Sequence, residues 1–151
     1  MSPPIGIVNI MFPLAIDSFV YVETFQEGEE LTISVPFHNT TPFNPTPPQV
    51  SQGHIKWKLQ KVNGYYTLHS YDGHPVVFSA GANTKLGVKG GRATAFEIEE
   101  YGSAESGSYV FKISGTQLAL RATNEMSGPR IGARVFSDSD NKMIWTVGLA
   151  E

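Results

Sequence analysis

Four histidines, at positions 38, 54, 69 and 74, are the side chains best suited to hold a metal or move a proton. Their spacings are irregular and no acidic cluster stands beside them. His69 and His74 flank the turn Tyr71-Asp72-Gly73, with Asp72 as the one candidate third ligand. Three residues of a single short turn seldom converge on one ion, so structural or solvated histidines are expected and no metal is called for. Glu97, Glu99 and Glu100 form the densest carboxylate group. Glu97 and Glu99 alternate with Phe96 and Ile98, as on the outward face of a half-buried strand. No Gly-x-Ser-x-Gly nucleophile motif is present, and the chain has no cysteine for a thiolate nucleophile, a thiolate zinc site or a disulfide. The glycine-rich stretch from Gly81 to Gly91 opens no helix, so it is not a phosphate-binding loop. The expectation is a protein that is not an enzyme and carries no cofactor.

The elements that position these residues are short. The chain has 151 residues, 40% hydrophobic and 17% charged, which is one globular domain rather than a disordered or coiled-coil chain. β-Branched Val, Ile and Thr outnumber Leu plus Ala, and 15 glycines and 10 prolines punctuate the sequence. Period-two alternation marks twelve strands, at 5–10, 19–23, 31–35, 55–61, 65–70, 75–80, 86–89, 95–100, 109–114, 117–122, 131–136 and 143–148. Turn formers separate them, including Asn63-Gly64, Asp72-Gly73 and Ser127-Gly128-Pro129. Asn-Gly and Asp-Gly favour hairpins because both turn positions take positive φ.

The strands repeat in three groups of four. Trp57-x-Leu59, Phe96-x-Ile98 and Trp145-x-Val147 each put a ring and an aliphatic on one face. Tyr66-x-Leu68 and Phe111-x-Ile113 follow the first two, and Ile5-x-Ile7 is the expected partner of the third. Three units are too few for a propeller, so the pattern predicts an all-β single domain over 1–151: a β-trefoil of twelve short strands in three pseudo-symmetric four-stranded repeats. Trp57, Phe96 and Trp145 are expected at related core positions.

Charge limits the partners. The net charge is −3 with a pI of about 5.8, so no basic field exists to hold nucleic acid. Residues 1–55 hold five acids and no Lys or Arg. No apolar run is long enough for a membrane span, and the Met-Ser-Pro-Pro start has no secretory pattern, which predicts a cytoplasmic location; a monomer is expected. Asn39-Thr40-Thr41 fits a glycosylation acceptor. One segment breaks the strand rhythm: 36–53 holds five prolines and no charged residue. A loop of that length and stiffness is a candidate binding loop.

The whole chain resembles the small β-trefoil peptidase inhibitors of mushrooms, both the cospin-like serine protease inhibitors and the mycocypin cysteine protease inhibitors. The resemblance is carried by Gly6-Ile7-Val8-Asn9, Phe19-Val20-Tyr21-Val22-Glu23, Glu27-Gly28-Glu29-Glu30-Leu31, the Trp57-x-Leu59 strand running through Asn63-Gly64 to Tyr65-Tyr66-Thr67-Leu68, and Ile144-Trp145-Thr146-Val147. It implies inhibition of a target protease through rigid exposed loops. In the cospin mode the reactive loop is Phe25-Gln26-Glu27-Gly28-Glu29-Glu30, with Gln26, Glu27 and Gly28 at its tip and no cation for a trypsin-type pocket. In the mycocypin mode the contacts come from 11–17, with Phe12, Pro13 and Leu14, and from 36–53, with Asn39, Pro42, Phe43 and Asn44. Lys85 and Arg130 are the loop cations that would serve a trypsin-like target. The alternative is a carbohydrate-binding trefoil, with Tyr71-Asp72 and the 138–141 stretch as glycan contacts. The Gln-x-Trp repeat of ricin-type lectins is absent, since Ile55 and Met143 stand two before the tryptophans and the middle repeat has Phe96.

Overall fold

The computed structural model describes residues 2–12, 18–34, 52–79, 81–102, 107–125 and 128–150. Among them are twelve strands and two 3-10 turns, Gln52–Ile55 and Asn141–Met143. The strands are β1 (Gly6–Met11), β2 (Phe19–Tyr21), β3 (Thr32–Ser34), β4 (Trp57–Val62), β5 (Tyr65–Ser70), β6 (Val76–Val77), β7 (Lys85–Leu86), β8 (Phe96–Glu100), β9 (Ser108–Ile113), β10 (Leu118–Glu125), β11 (Gly128–Val135) and β12 (Trp145–Leu149). Each overlaps one of the twelve expected segments, β7 by Leu86 alone.

Six of them close a ring. β1 pairs with β4, β4 with β5, β5 with β8, β8 with β9, β9 with β12 and β12 back with β1, every pair antiparallel. The other six form hairpins β2·β3, β6·β7 and β10·β11. A six-stranded barrel with one hairpin per repeat is the β-trefoil arrangement, and closure removes the free edges that an open sheet would expose. Asn63 and Gly64 make the tight β4–β5 turn with φ of 53° and 85°, as the Asn-Gly pair predicts.

Trp57, Phe96 and Trp145 are the first residues of β4, β8 and β12, and they are 0%, 0% and 1% exposed. Phe111 meets Phe96 edge-on at 6.0 Å between ring centroids. The two indoles also carry polar ties. Trp57 Nε1 donates to Val20 O at 2.8 Å and Trp145 Nε1 donates to Leu120 O at 3.2 Å, joining the barrel to β2 and β10. Phe96 has no such donor, and Thr94 does the work in that repeat. Its amide donates to Val76 O at 3.0 Å, and its hydroxyl accepts from the Phe78 amide at 2.8 Å.

Two expectations are corrected. The inward residues of β1 are Val8 and Ile10, not Ile5 and Ile7; Ile5 is 49% exposed. Both parities of this strand are apolar, so alternation alone does not choose between them. Pairing does, setting Val8 opposite Trp57 and Ile10 opposite Val147. The second correction concerns Ser127-Gly128-Pro129. Gly128 pairs with Glu125 and Pro129 with Asn124, so the β10·β11 ladder runs through residues expected to turn. β11 ends the sheet order, so the missing amide of Pro129 costs no inner ladder bond.

Trp145→Ala is expected to lower unfolding free energy by about 3–5 kcal/mol in urea denaturation. Trp145→Phe should lose less, because it restores most of the volume and gives up chiefly the bond to Leu120.

Candidate functional site

Three surfaces gather the residues with functional potential. The first is the β2–β3 loop. The Glu29 carboxylate accepts from the Glu23 amide at 2.6 Å, the Thr24 amide at 2.9 Å and the Thr24 hydroxyl at 2.9 Å. The Gly28 amide donates to Leu86 O at 2.7 Å, and the Leu86 amide donates to Glu29 O at 2.9 Å. Phe25 stacks on His54 at 4.5 Å, and His54 Nδ1 lies 2.8 Å from Val22 O. Gly28 sits at φ 87°, a conformation that side-chain-bearing residues rarely adopt. Gln26, Glu27 and Gly28 are therefore exposed on a backbone braced from both ends.

The second surface is the pseudo-threefold meeting point of the hairpins. The Leu31 amide donates to Thr84 O at 3.1 Å, and the amide and hydroxyl of Thr84 donate to Ile131 O at 2.9 and 2.8 Å. The residues just before these three converge in turn. Glu30 takes Arg130 Nε at 3.3 Å on one oxygen and Asn83 Nδ2 at 3.1 Å on the other. Arg130 also donates to Thr32 Oγ1 at 3.4 Å and Pro129 O at 2.9 Å. Arg130 is thus a strand residue tied into the hairpin cap, not a loop-tip cation. Lys85 likewise lies on β7, opposite Val77 and bridged to Glu30, and is half-buried. Phe12 is half-buried with its ring 5.6 Å from that of Trp145. Pro13, Leu14, Asn39, Pro42, Phe43 and Asn44 lie outside the described residues.

The third surface is the β5–β6 turn. Asp72 accepts from Ser70 Oγ, and its Oδ1 lies 2.8 Å from His74 Nδ1. The amide of His74 donates to Ser70 Oγ at 3.0 Å, and the Ser70 amide to His74 O at 2.8 Å. Burial raises the Asp72 pKa, but the hydrogen bonds from His74 and Ser70 outweigh it and hold the carboxyl below its ordinary value. Burial, helped by Lys58, pushes His69 below its ordinary value. This stiff turn presents the Tyr71 ring, 46% exposed. Gly53 lies against the ring edge, where an added Cβ would come within 3.7 Å of it. Lys56 Nζ and Lys58 Nζ stand 5.7 and 6.0 Å from the ring centroid, and Lys89 Nζ is 3.7 Å from the other Asp72 oxygen.

Reading the sequence found Tyr71 and Asp72 but missed the three lysines. Their signal was faint: Lys56 and Lys58 alternate around the inward-facing Trp57. The 138–141 stretch forms a separate cluster. Arg121 Nε donates to Asp140 at 2.7 Å and Asp140 also caps the Lys142 amide at 3.0 Å, and the Arg121 bond leads in holding this carboxyl below its ordinary value. No group of three metal-ligating side chains occurs among the described residues.

No family model matches the sequence, and no curated protein matches it. Solved structures do. A designed threefold-symmetric protein, ThreeFoil, superposes with a TM-score of 0.67 at 16% identity over 94% of this chain and 97% of its own. A Macrolepiota procera ricin B-like lectin in complex with lactose gives 0.67 at 10% identity over 99% and 100%. SeviL bound to asialo-GM1 saccharide gives 0.66 at 16% identity over 98% and 100%. The chain has the β-trefoil fold. Identities this low establish that architecture and nothing finer.

Asp72, ionised below its ordinary pKa in the folded protein, contributes stability that is present above the unfolded value of about 4 and lost as pH falls through the lower folded value. Asp72→Asn should melt a few degrees below the parent near pH 6, since a charged hydrogen bond contributes about 1.5–3 kcal/mol before solvent screening. Thermal melts taken down to about pH 2 should show that gap closing.

Proposed function

We propose that this β-trefoil is a non-catalytic carbohydrate-binding protein whose saccharide stacks on Tyr71. The observation that carries the reading is an exposed aromatic ring on a turn locked by Ser70, Asp72 and His74, with lysine ammoniums over it and a carboxylate beside it. A sugar has an apolar C–H face and a polar girdle of hydroxyls. It is matched by a flat ring beside fixed donors and acceptors, here the lysine ammoniums and the Asp72 oxygen nearest Lys89. Two trefoils of the same architecture were solved with lactose and with asialo-GM1 saccharide, which supports this class of ligand. The turn is rigid before binding, so little ordering entropy opposes the complex. On a printed array of glycans the parent should bind a discrete set. Tyr71→Ala should lose that binding by at least about tenfold with an unchanged melting temperature.

A second reading, inhibition of an endopeptidase, is favoured by the braced β2–β3 loop. Such a loop docks without reorganising, as protease inhibitors do. Its acidic tip suits a cleft that accepts a carboxylate rather than a trypsin-type pocket. Against a panel of serine and cysteine proteases, this reading expects near-stoichiometric inhibition by an intact protein. Glu29→Ala, which removes the brace on residues 23 and 24, should convert the inhibitor into a substrate cut within the loop. Digestion of the parent with no enzyme inhibited would remove this reading and leave the first untouched.

A further inference from the structure

We infer that the Tyr71 platform takes an acidic saccharide, one bearing a carboxylate or sulfate that Lys56 and Lys58 neutralise together. The inference rests on the carbohydrate reading and adds the ligand's charge.

Lys56 and Lys58 lie on either side of Trp57. Because Trp57 points into the barrel, both lysines turn outward, and both ammoniums reach the same tyrosine ring, at 5.7 and 6.0 Å. Lys89 adds a third ammonium on the far side of Asp72. Two ammoniums at the Tyr71 ring and a third at Asp72 thus gather at one turn, in a chain whose net charge is −3. Three other cations are matched: Lys112 to Glu99 at 2.6 Å, Arg121 to Asp140 at 2.7 Å and Arg130 to Glu30 at 3.3 Å. Among the described residues, neither Lys56 nor Lys58 is paired with a carboxylate. Both ammoniums stand within 6.0 Å of one ring centroid, and a neutral sugar would leave them without a counter-charge. An anionic group on a sugar stacked there supplies that counter-charge to both. Lys58 is opposite His69 in the β4·β5 ladder, and the carboxylate of the turn itself, Asp72, is already engaged by Ser70 and His74.

The test is an array printed with neutral, sialylated, uronic-acid and sulfated glycans, followed by titration calorimetry on matched acidic and neutral pairs. Acidic members should bind roughly tenfold tighter than their neutral counterparts, the size expected of two partly screened ion pairs. The preference should shrink as salt is raised from about 50 to about 500 mM. Lys56→Gln with Lys58→Gln should bring the acidic-to-neutral ratio to about one, while the control Lys142→Gln keeps it; unchanged melting temperatures show that both variants fold. The carboxylate and sulfate arms of the array distinguish the two sources of charge. Equal binding of neutral and acidic pairs, or a preference that survives the double substitution, overturns the inference and leaves the carbohydrate reading standing. Binding of no glycan, or of a short single-stranded oligonucleotide instead, overturns both.

Discussion

The structure depends on burying three large rings at one level of a closed barrel. Trp57, Phe96 and Trp145 begin equivalent strands, and each has to fill the same share of the interior for six short strands to meet. Strands of two to eight residues have little stability alone. The rings supply the apolar burial that makes the pairing worthwhile, and the two indole N–H groups then anchor hairpins that share no ladder with β4 or β12. Burying an indole without a partner for its N–H would be costly, so the same bond satisfies the core and fixes the cap.

Symmetry is kept where packing demands it and broken where polar groups specialise. The hairpin cap shows both. Leu31, Thr84 and Ile131 are linked through Thr84 around the pseudo-threefold axis, but the residues before them differ: an acid, an amide and a guanidinium. Three identical charges there would repel. One acid between a cation and an amide holds the three hairpins together. The third repeat gives up its most plausible loop cation to do so, while three ammoniums gather at Tyr71 and Asp72.

The fold was legible because its signals are local. Asn63-Gly64 dictates a two-residue turn, and a ring followed by x and an aliphatic marks each inward strand face. Legibility failed where a choice depended on a distant partner. The parity of β1 was hidden because Ile5, Ile7, Val8 and Ile10 offer apolar residues on both faces, and only β4 and β12 select between them. Gly-Pro before Arg130 has the composition of a turn, yet eight paired residues of β10 carry the ladder past it. The bond from Arg130 to Glu30 spans 100 positions and leaves no sequence pattern. Of the proposed carbohydrate surface, Tyr71 and Asp72 were visible as a turn beside a ring; the gathering of Lys56, Lys58 and Lys89 around them is a product of folding.

The ring closes between its earliest and latest members. Val8 to Met11 lie against Thr146 to Leu149, and the amide of Ala150 reaches Ile7 O at 2.9 Å. On the ribosome, β1 emerges first and pairs with β4 about fifty residues later, yet its other edge has to wait for β12. Until then a strand carrying Val8 and Ile10 offers an unpaired edge to its surroundings, the kind that recruits other nascent chains. Closure of the barrel therefore waits for β12, ruled by the slow search for a contact between distant parts of the chain.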